Sequence, residues 1–279
     1  MKKTKSTDKA LIAQQSAVNT ISLLRQHLIE QQDSEEYVHR IRVDIKHLRA
    51  WLRLLRLKTD GRDWKNIDQQ LHQQAQQLGS LRDSQAISKT FKILRGYAKT
   101  KRERAAIDYV QEQPGLLPTA STINWQKFKH ELLEELNIFE REFVFFKSIS
   151  ILINGLNHTY TKTKKIGEKT YSKQGTYNDI HNLRKWIKVM GYQLAYTSKI
   201  FSVKTSLKRD ISKLGNLLGK AHDLIIIKDK LKLLEKNENI EIAYSLIEKN
   251  IALILGNSKH NFKRIFNSSF EKIIGETNL

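Results

Sequence analysis

The stretch VHRIRVDIKHLRAWLRLLR, residues 38–56, is compatible with few folds. Its apolar residues Val38, Ile41, Ile45, Leu48, Leu52 and Leu55 are spaced 3, 4, 3, 4, 3, the period of a helix with one buried stripe. His39, Arg42, Lys46, Arg49, Arg53 and Arg56 repeat that spacing one residue behind. One residue is about 100° of helical turn, so the basic residues form a second stripe beside the one that enters a core. Solvated helix faces normally mix charge signs, because i,i+4 acid–base pairs stabilise them. Here six Lys or Arg residues stand with one acid, Asp44. The row is expected to line an internal cleft, held in place by the apolar stripe.

Helical periodicity continues along the chain, and no convincing run of alternating strands interrupts it. The two prolines, Pro114 and Pro118, both fall in PGLLPTAST. Segment 114–123 is therefore the expected boundary between two halves. Helices are predicted near 8–30, 35–58, 62–78, 83–112, 124–142, 146–168, 177–201, 206–219, 223–236, 240–255 and 259–274, and the fold class is all-α.

The basic motif occurs twice. IHNLRKWIKVMGYQLAYTS at 180–198 pairs His181 with His39, Arg184 with Arg42 and Lys188 with Lys46, at an offset of 142 residues. Its apolar row is Ile180, Leu183, Ile187, Met190 and Leu194; Arg49 falls on Gly191. Further on, LGSLRDSQ at 78–85 matches LGKAHDLI at 218–225 at an offset of 140, pairing Gly79 with Gly219, Arg82 with His222 and Asp83 with Asp223. Two motifs in one order at nearly one offset predict two similar helical halves about a pseudo-two-fold axis, with the two His-Arg-Lys rows facing each other.

At these residues the sequence resembles the CHAD domain, the conserved histidine α-helical domain. That family repeats a helix opening His-x-x-Arg-x-x-x-(Lys/Arg) and a short helix ending in Leu-Gly-x-x-Arg-Asp. The resemblance covers roughly 8–274, as one domain with repeats at about 8–113 and 124–274 and flexible tails at 1–7 and 275–279. Departures are His222, where Arg is usual, and Gly191, where a basic residue is common. The resemblance implies a basic central channel that binds inorganic polyphosphate, no catalytic activity, and a place at polyphosphate granules.

The chemistry of the residues fits that implication. A flexible polyphosphate chain offers charge but neither bases nor an apolar face. A helix with a cation every three or four residues presents one per turn, about 5.4 Å apart. The Arg fork donates two hydrogen bonds to phosphate oxygens, and Lys adds a point charge. A histidine ring nitrogen can donate as well, and a bound phosphate favours its charged form. The candidate binding set is His39, Arg42, Lys46, Arg49, Arg53 and Arg82 in the first repeat. In the second it is His181, Arg184, Lys185, Lys188, Lys213 and His222. Gly79 and Gly219 are expected just past helix ends, where glycine readily takes a positive φ. Asp83 and Asp223 are expected at helix starts, accepting backbone N–H groups. The run Lys162, Lys164, Lys165 and Lys169 reads as a solvated face outside the site, and the glutamate-rich helix 124–142 is placed away from the ligand.

Composition narrows the classes. A net charge of +20 over 279 residues points to a polyanionic partner. With no cysteine, disulfides and thiolate metal sites are excluded. The basic N-terminus lacks the apolar core of a signal peptide, and no apolar run approaches the roughly 20 residues that span a bilayer. The expectation is a cytoplasmic, soluble protein with no membrane partner, cofactor or metal. GNLLGKA at 215–221 fails as a P-loop: three residues separate its glycines and Ala ends it. The alternative function is binding of RNA or DNA backbone, which charge alone does not separate from polyphosphate binding.

Overall fold

The computed structural model describes residues 2–30, 34–56, 64–114, 116, 123–146 and 148–274; the side chains of 2–7, 80–86 and 273–274 fall outside the description. All regular structure among these residues is helical: α1 (Lys2–Ile29), α2 (Glu35–Leu54), α3 (Trp64–Gln77), α4 (Ser80–Tyr97), α5 (Lys101–Gln111), α6 (Trp125–Phe143), α7 (Ser150–Thr170), α8 (Tyr177–Thr197), α9 (Thr205–Leu231), α10 (Glu238–Phe266) and α11 (Phe270–Ile274).

The all-α class is as expected, but three boundaries differ. The helix predicted over 83–112 is two helices. Ala98 is extended, and Thr100 opens α5 with a capping box to Glu103, each side chain bonding the other's backbone N–H. The helices predicted at 206–219 and 223–236 are one, α9, and α10 runs on through Gly256 to Phe266. An interior glycine costs a helix about 1 kcal/mol, which packing along α9 and α10 offsets. At the N-terminus α1 begins at Lys2, so the expected tail 1–7 is largely helical backbone; 275–279 lies outside the described residues.

Helix α2 is central. It packs against α1, α3, α7 and α8, and α8 packs in turn on α7 and α9. The apolar stripe read from the sequence is the buried one: Val38, Ile41, Ile45, Leu48, Leu52 and Leu55 all enter the core. Each such side chain stabilises by about 1.5–3 kcal/mol relative to exposure. Trp51 is fully buried, donates from Nε1 to the Phe143 carbonyl at 3.1 Å, and packs edge-on to Tyr196 of α8. Gln193 of α8 donates to the Ala50 carbonyl at 3.1 Å. The two motif helices are therefore direct neighbours.

Two local features position the basic residues of α7 and α8. Thr176 and Asp179 form a second capping box that starts α8, and Lys169 pairs with Asp179 at 2.9 Å. Gly155 brings α7 onto the end of α2, where any Cβ at 155 would collide with the Leu54 carbonyl oxygen. One and two turns on from that crossing, α7 carries His158 and Lys162 past Arg53 and Arg56.

Candidate functional site

Each motif helix lays its arginine over the glycine of the Leu-Gly motif in the same repeat. Arg42 donates from Nη1 to the Leu78 carbonyl at 2.8 Å, and a Cβ on Gly79 would stand 3.4 Å from that nitrogen. A Cβ on Gly219 would stand 3.6 Å from Arg184 Nε. The glycines thus provide room for a guanidinium. They do not provide the positive φ expected of them: Gly79 is right-handed, at φ −65°, and Gly219 lies inside α9. Asp223 likewise lies inside α9, not at a helix start. Asp83 sits in the first turn of α4, but its side chain and that of Arg82 fall outside the described residues.

The lower part of the first row is drawn together by a residue the motif does not contain. Asp68 of α3 accepts from Arg49 Nε at 2.8 Å and Nη2 at 3.2 Å, and from Arg53 Nη2 at 2.8 Å. Arg49 also meets His72 Nδ1 at 3.0 Å. Both arginines are only 9% exposed. Burial alone would raise the Asp68 carboxyl, but hydrogen bonds and charge from the two arginines outweigh it and hold it below the ordinary carboxylate value. Asp44, the one acid within the basic segment, is turned the other way: it meets His27 of α1 at 2.8 Å.

Above this cluster, the Trp186 ring of α8 is engaged by two cations, Lys162 Nζ at 4.3 Å and Arg53 at 5.6 Å from its centroid. Lys162 is held below its ordinary pKa by partial burial and then by Arg56 and Arg53. The same is true of Lys185, by partial burial and then by Arg53, Arg49 and, more weakly, Lys162. His158 is depressed by burial, Arg56 and Lys162. Lys162 is exposed, as are Lys165 and Lys169 of the same run, but it lies against the row at Trp186, Arg53 and Arg56. Its neighbours in sequence do not locate it; the α2–α7 crossing at Gly155 does.

The second motif builds a histidine pair. His181 and His222 lie 4.8 Å apart between ring centroids, although 41 residues separate them in sequence. Burial, then Arg184, His181 and Lys188 push His222 down to about 4. His181 is also lowered, by burial, Arg184 and Lys185. Lys185 thus lies in electrostatic reach of His181 on one side and of Arg53, Arg49 and Lys162 on the other. Lys46 and Lys188 are half-buried, and His39 is exposed near the start of α2. Lys213 stands exposed beside a shallow hollow on α9, with Arg209 and Lys220.

Among the described residues no group of three or more His, Asp or Glu side chains is placed to hold a metal ion, and no helix is long and apolar enough to cross a membrane. The fold and this site define an all-helical domain whose two His-Arg-Lys motif helices pack side by side. The chain belongs to the CHAD domain family, whose model matches residues 14–234. Searches of curated proteins and of solved structures return no significant match.

Proposed function

We propose that the protein binds inorganic polyphosphate along a basic channel between two similar halves, and that it acts as a binder, not an enzyme. Membership of the family is consistent with polyphosphate binding in general. The observation that carries the reading is the run of basic side chains across the two motif helices and their neighbours α7 and α9, from His222, His181 and Arg184 through Lys185 to Arg49, Arg53 and Lys162. Lys162, Lys185, His181 and His222 are lowered first by burial and then by their basic neighbours, so like charge is gathered closely here. A polyanion threaded among them relieves their repulsion and gains charge-assisted hydrogen bonds.

The matching placement of Arg42 over Gly79 and Arg184 over Gly219 supports the two-fold relation of the halves. The state of the two tryptophans on the motif helices, Trp51 and Trp186, favours polyphosphate along the row. Non-specific nucleic-acid sites add aromatic faces for bases, whereas Trp51 is fully buried and Trp186 already engages two cations. In the cell this reading places the protein in the cytoplasm, at polyphosphate granules.

The test is a titration of the full chain with long-chain polyphosphate at about physiological ionic strength, with single-stranded RNA of matched charge as competitor. Polyphosphate is expected to win by a wide margin, and Arg42→Ala with Arg184→Ala to weaken its binding while helical content persists. Equal competition by RNA would move the function to general polyanion binding, and unchanged affinity in the folded double variant would remove the channel.

A further inference from the structure

A cavity of about 490 Å³ opens between α2, α8 and α9, lined among others by His47, Lys188, Gly191, Tyr192, Lys208 and Ser212. Its origin is visible in the repeat. At the offsets of the two halves, Gly191 stands where the first half has Arg49, Ala195 where it has Arg53, Lys208 where it has Asp68, and Ser212 where it has His72. All four line the cavity. The site that the first half fills with two arginines, their shared carboxylate and a histidine is emptied in the second. Its one acid has become a lysine.

The walls then have a definite chemistry. Ile187, Leu194 and Ile211 supply an apolar floor, and Gly191 and Gly215 add no side-chain bulk to it. His47 lies 4.2 Å from Tyr192 between ring centroids, giving an aromatic wall. Burial keeps His47 below its ordinary pKa, so that wall is uncharged near neutrality. Ser212 and Asn216 offer donors and acceptors, while Lys188 and Lys208 bring positive charge to the edge. Lys188 also faces His222, so the cavity borders the basic run across the motif helices. Small-molecule sites have this volume and this mixture of apolar wall and few polar groups.

We propose that this cavity binds a nucleoside polyphosphate, its base against the His47–Tyr192 wall and the apolar floor, and its phosphates at Lys188 and Lys208. The ligand class follows from the pairing of an uncharged aromatic wall with cations, with no carboxylate among the described lining residues. Polyphosphate alone would leave the apolar floor unused, and an uncharged aromatic would leave the lysines unused. The site is separate from the polyphosphate channel, except that Lys188 borders both.

The experiment is calorimetric titration of the full chain with ATP, tripolyphosphate and adenosine at one ionic strength. ATP is expected to bind more tightly than tripolyphosphate by about tenfold, the worth of one base–aromatic stack, and adenosine more weakly than ATP. Equal affinity for ATP and tripolyphosphate would overturn the proposal. Gly191→Leu fills the hollow from a position where a Cβ meets only Ile211 Cγ2, at an ordinary 3.5 Å. It is expected to abolish the preference for ATP while long-chain polyphosphate still binds; a folded variant that kept the preference would overturn the site. Lys208→Asp, at an exposed position, places an acid where the first half has one. It should weaken ATP several-fold whether or not Gly191→Leu folds, and unchanged ATP affinity there would likewise overturn the site. Loss of polyphosphate binding alone, with the ATP preference intact, would count against the channel and not against this cavity.

Discussion

Asp68 holds Arg49 by both carboxylate oxygens, Oδ1 2.8 Å from Nε and Oδ2 3.2 Å from Nη2. Its Oδ2 also takes a hydrogen bond from Arg53. One acid thus fixes two cations of the row, and it occupies donors that a phosphate would otherwise use. Asp68→Asn is expected to raise polyphosphate affinity several-fold in a low-salt titration. The same change should lower unfolding free energy by about 1–3 kcal/mol, because it weakens charge-assisted hydrogen bonds to buried guanidinium groups. The carboxyl is depressed from its ordinary 3.8, so the stability it contributes is present above that value and lost as pH falls through the lowered one. Denaturant melts should show the wild type losing more stability than Asp68→Asn as pH drops below 3.8.

The two motif glycines should respond differently to alanine. At Gly79 a Cβ would stand 2.8 Å from the Gln76 carbonyl oxygen and 3.4 Å from Arg42. Gly79→Ala is therefore expected to lower the melting temperature and to weaken polyphosphate binding through Arg42. At Gly219 the nearest atom is Arg184 Nε at 3.6 Å, and the residue is inside a helix. Gly219→Ala should be neutral or stabilising, by up to about 1 kcal/mol of helix propensity. Thermal melts of the two variants check the asymmetry.

Polyphosphate affinity should depend on pH through the histidine pair. His222 is held at about 4 and His181 is also lowered, so both are largely neutral at pH 7. A bound phosphate favours their charged forms, so binding takes up protons and strengthens as pH falls from 8 towards 5. His222→Arg supplies a permanent charge and should flatten that profile while raising affinity at pH 8. The neutral pair also sets a stability trend of its own. A histidine depressed in the fold contributes stability that is present above its unfolded value of 6.5 and lost as pH falls towards about 4. His222→Arg should remove part of that acid-side loss in melts taken over the same range.

Lys162 should count where its neighbours do not. Both Lys162 and Lys165 are exposed, but Lys162 sits over the Trp186 ring and feels Arg53 and Arg56. Lys162→Ala is expected to weaken polyphosphate binding a few-fold and to make the salt dependence shallower by about one contact. Lys165→Ala should change neither. Titration at several salt concentrations separates the two.

Much of this was legible in the chain. The 3-4 spacing in residues 38–56 located α2, its buried face and its basic row, because a helix of fixed pitch converts spacing into direction. The doubled motifs announced α8 and paired Arg42 with Arg184. The Thr100–Glu103 capping box was also present in the letters, and it marks a break that periodicity alone ran across. Gly219 and Gly256 were harder, since a glycine marks a helix end only where packing does not carry the helix through it.

What a sequence determines by itself are relations along one helix, where a residue's direction follows from its number. The partners of the row are relations between helices. Asp68 reaches Arg49 from α3, Lys162 reaches Trp186 because α7 crosses α2 at Gly155, and His222 meets His181 across α8 and α9. The hollow beside His47 is lined by Gly191, Ala195, Lys208 and Ser212 from two helices, residues that stand 142 or 140 positions after Arg49, Arg53, Asp68 and His72. Those meetings depend on the angles and distances at which helices pack, which the summed fit of many side chains decides and no local pattern records.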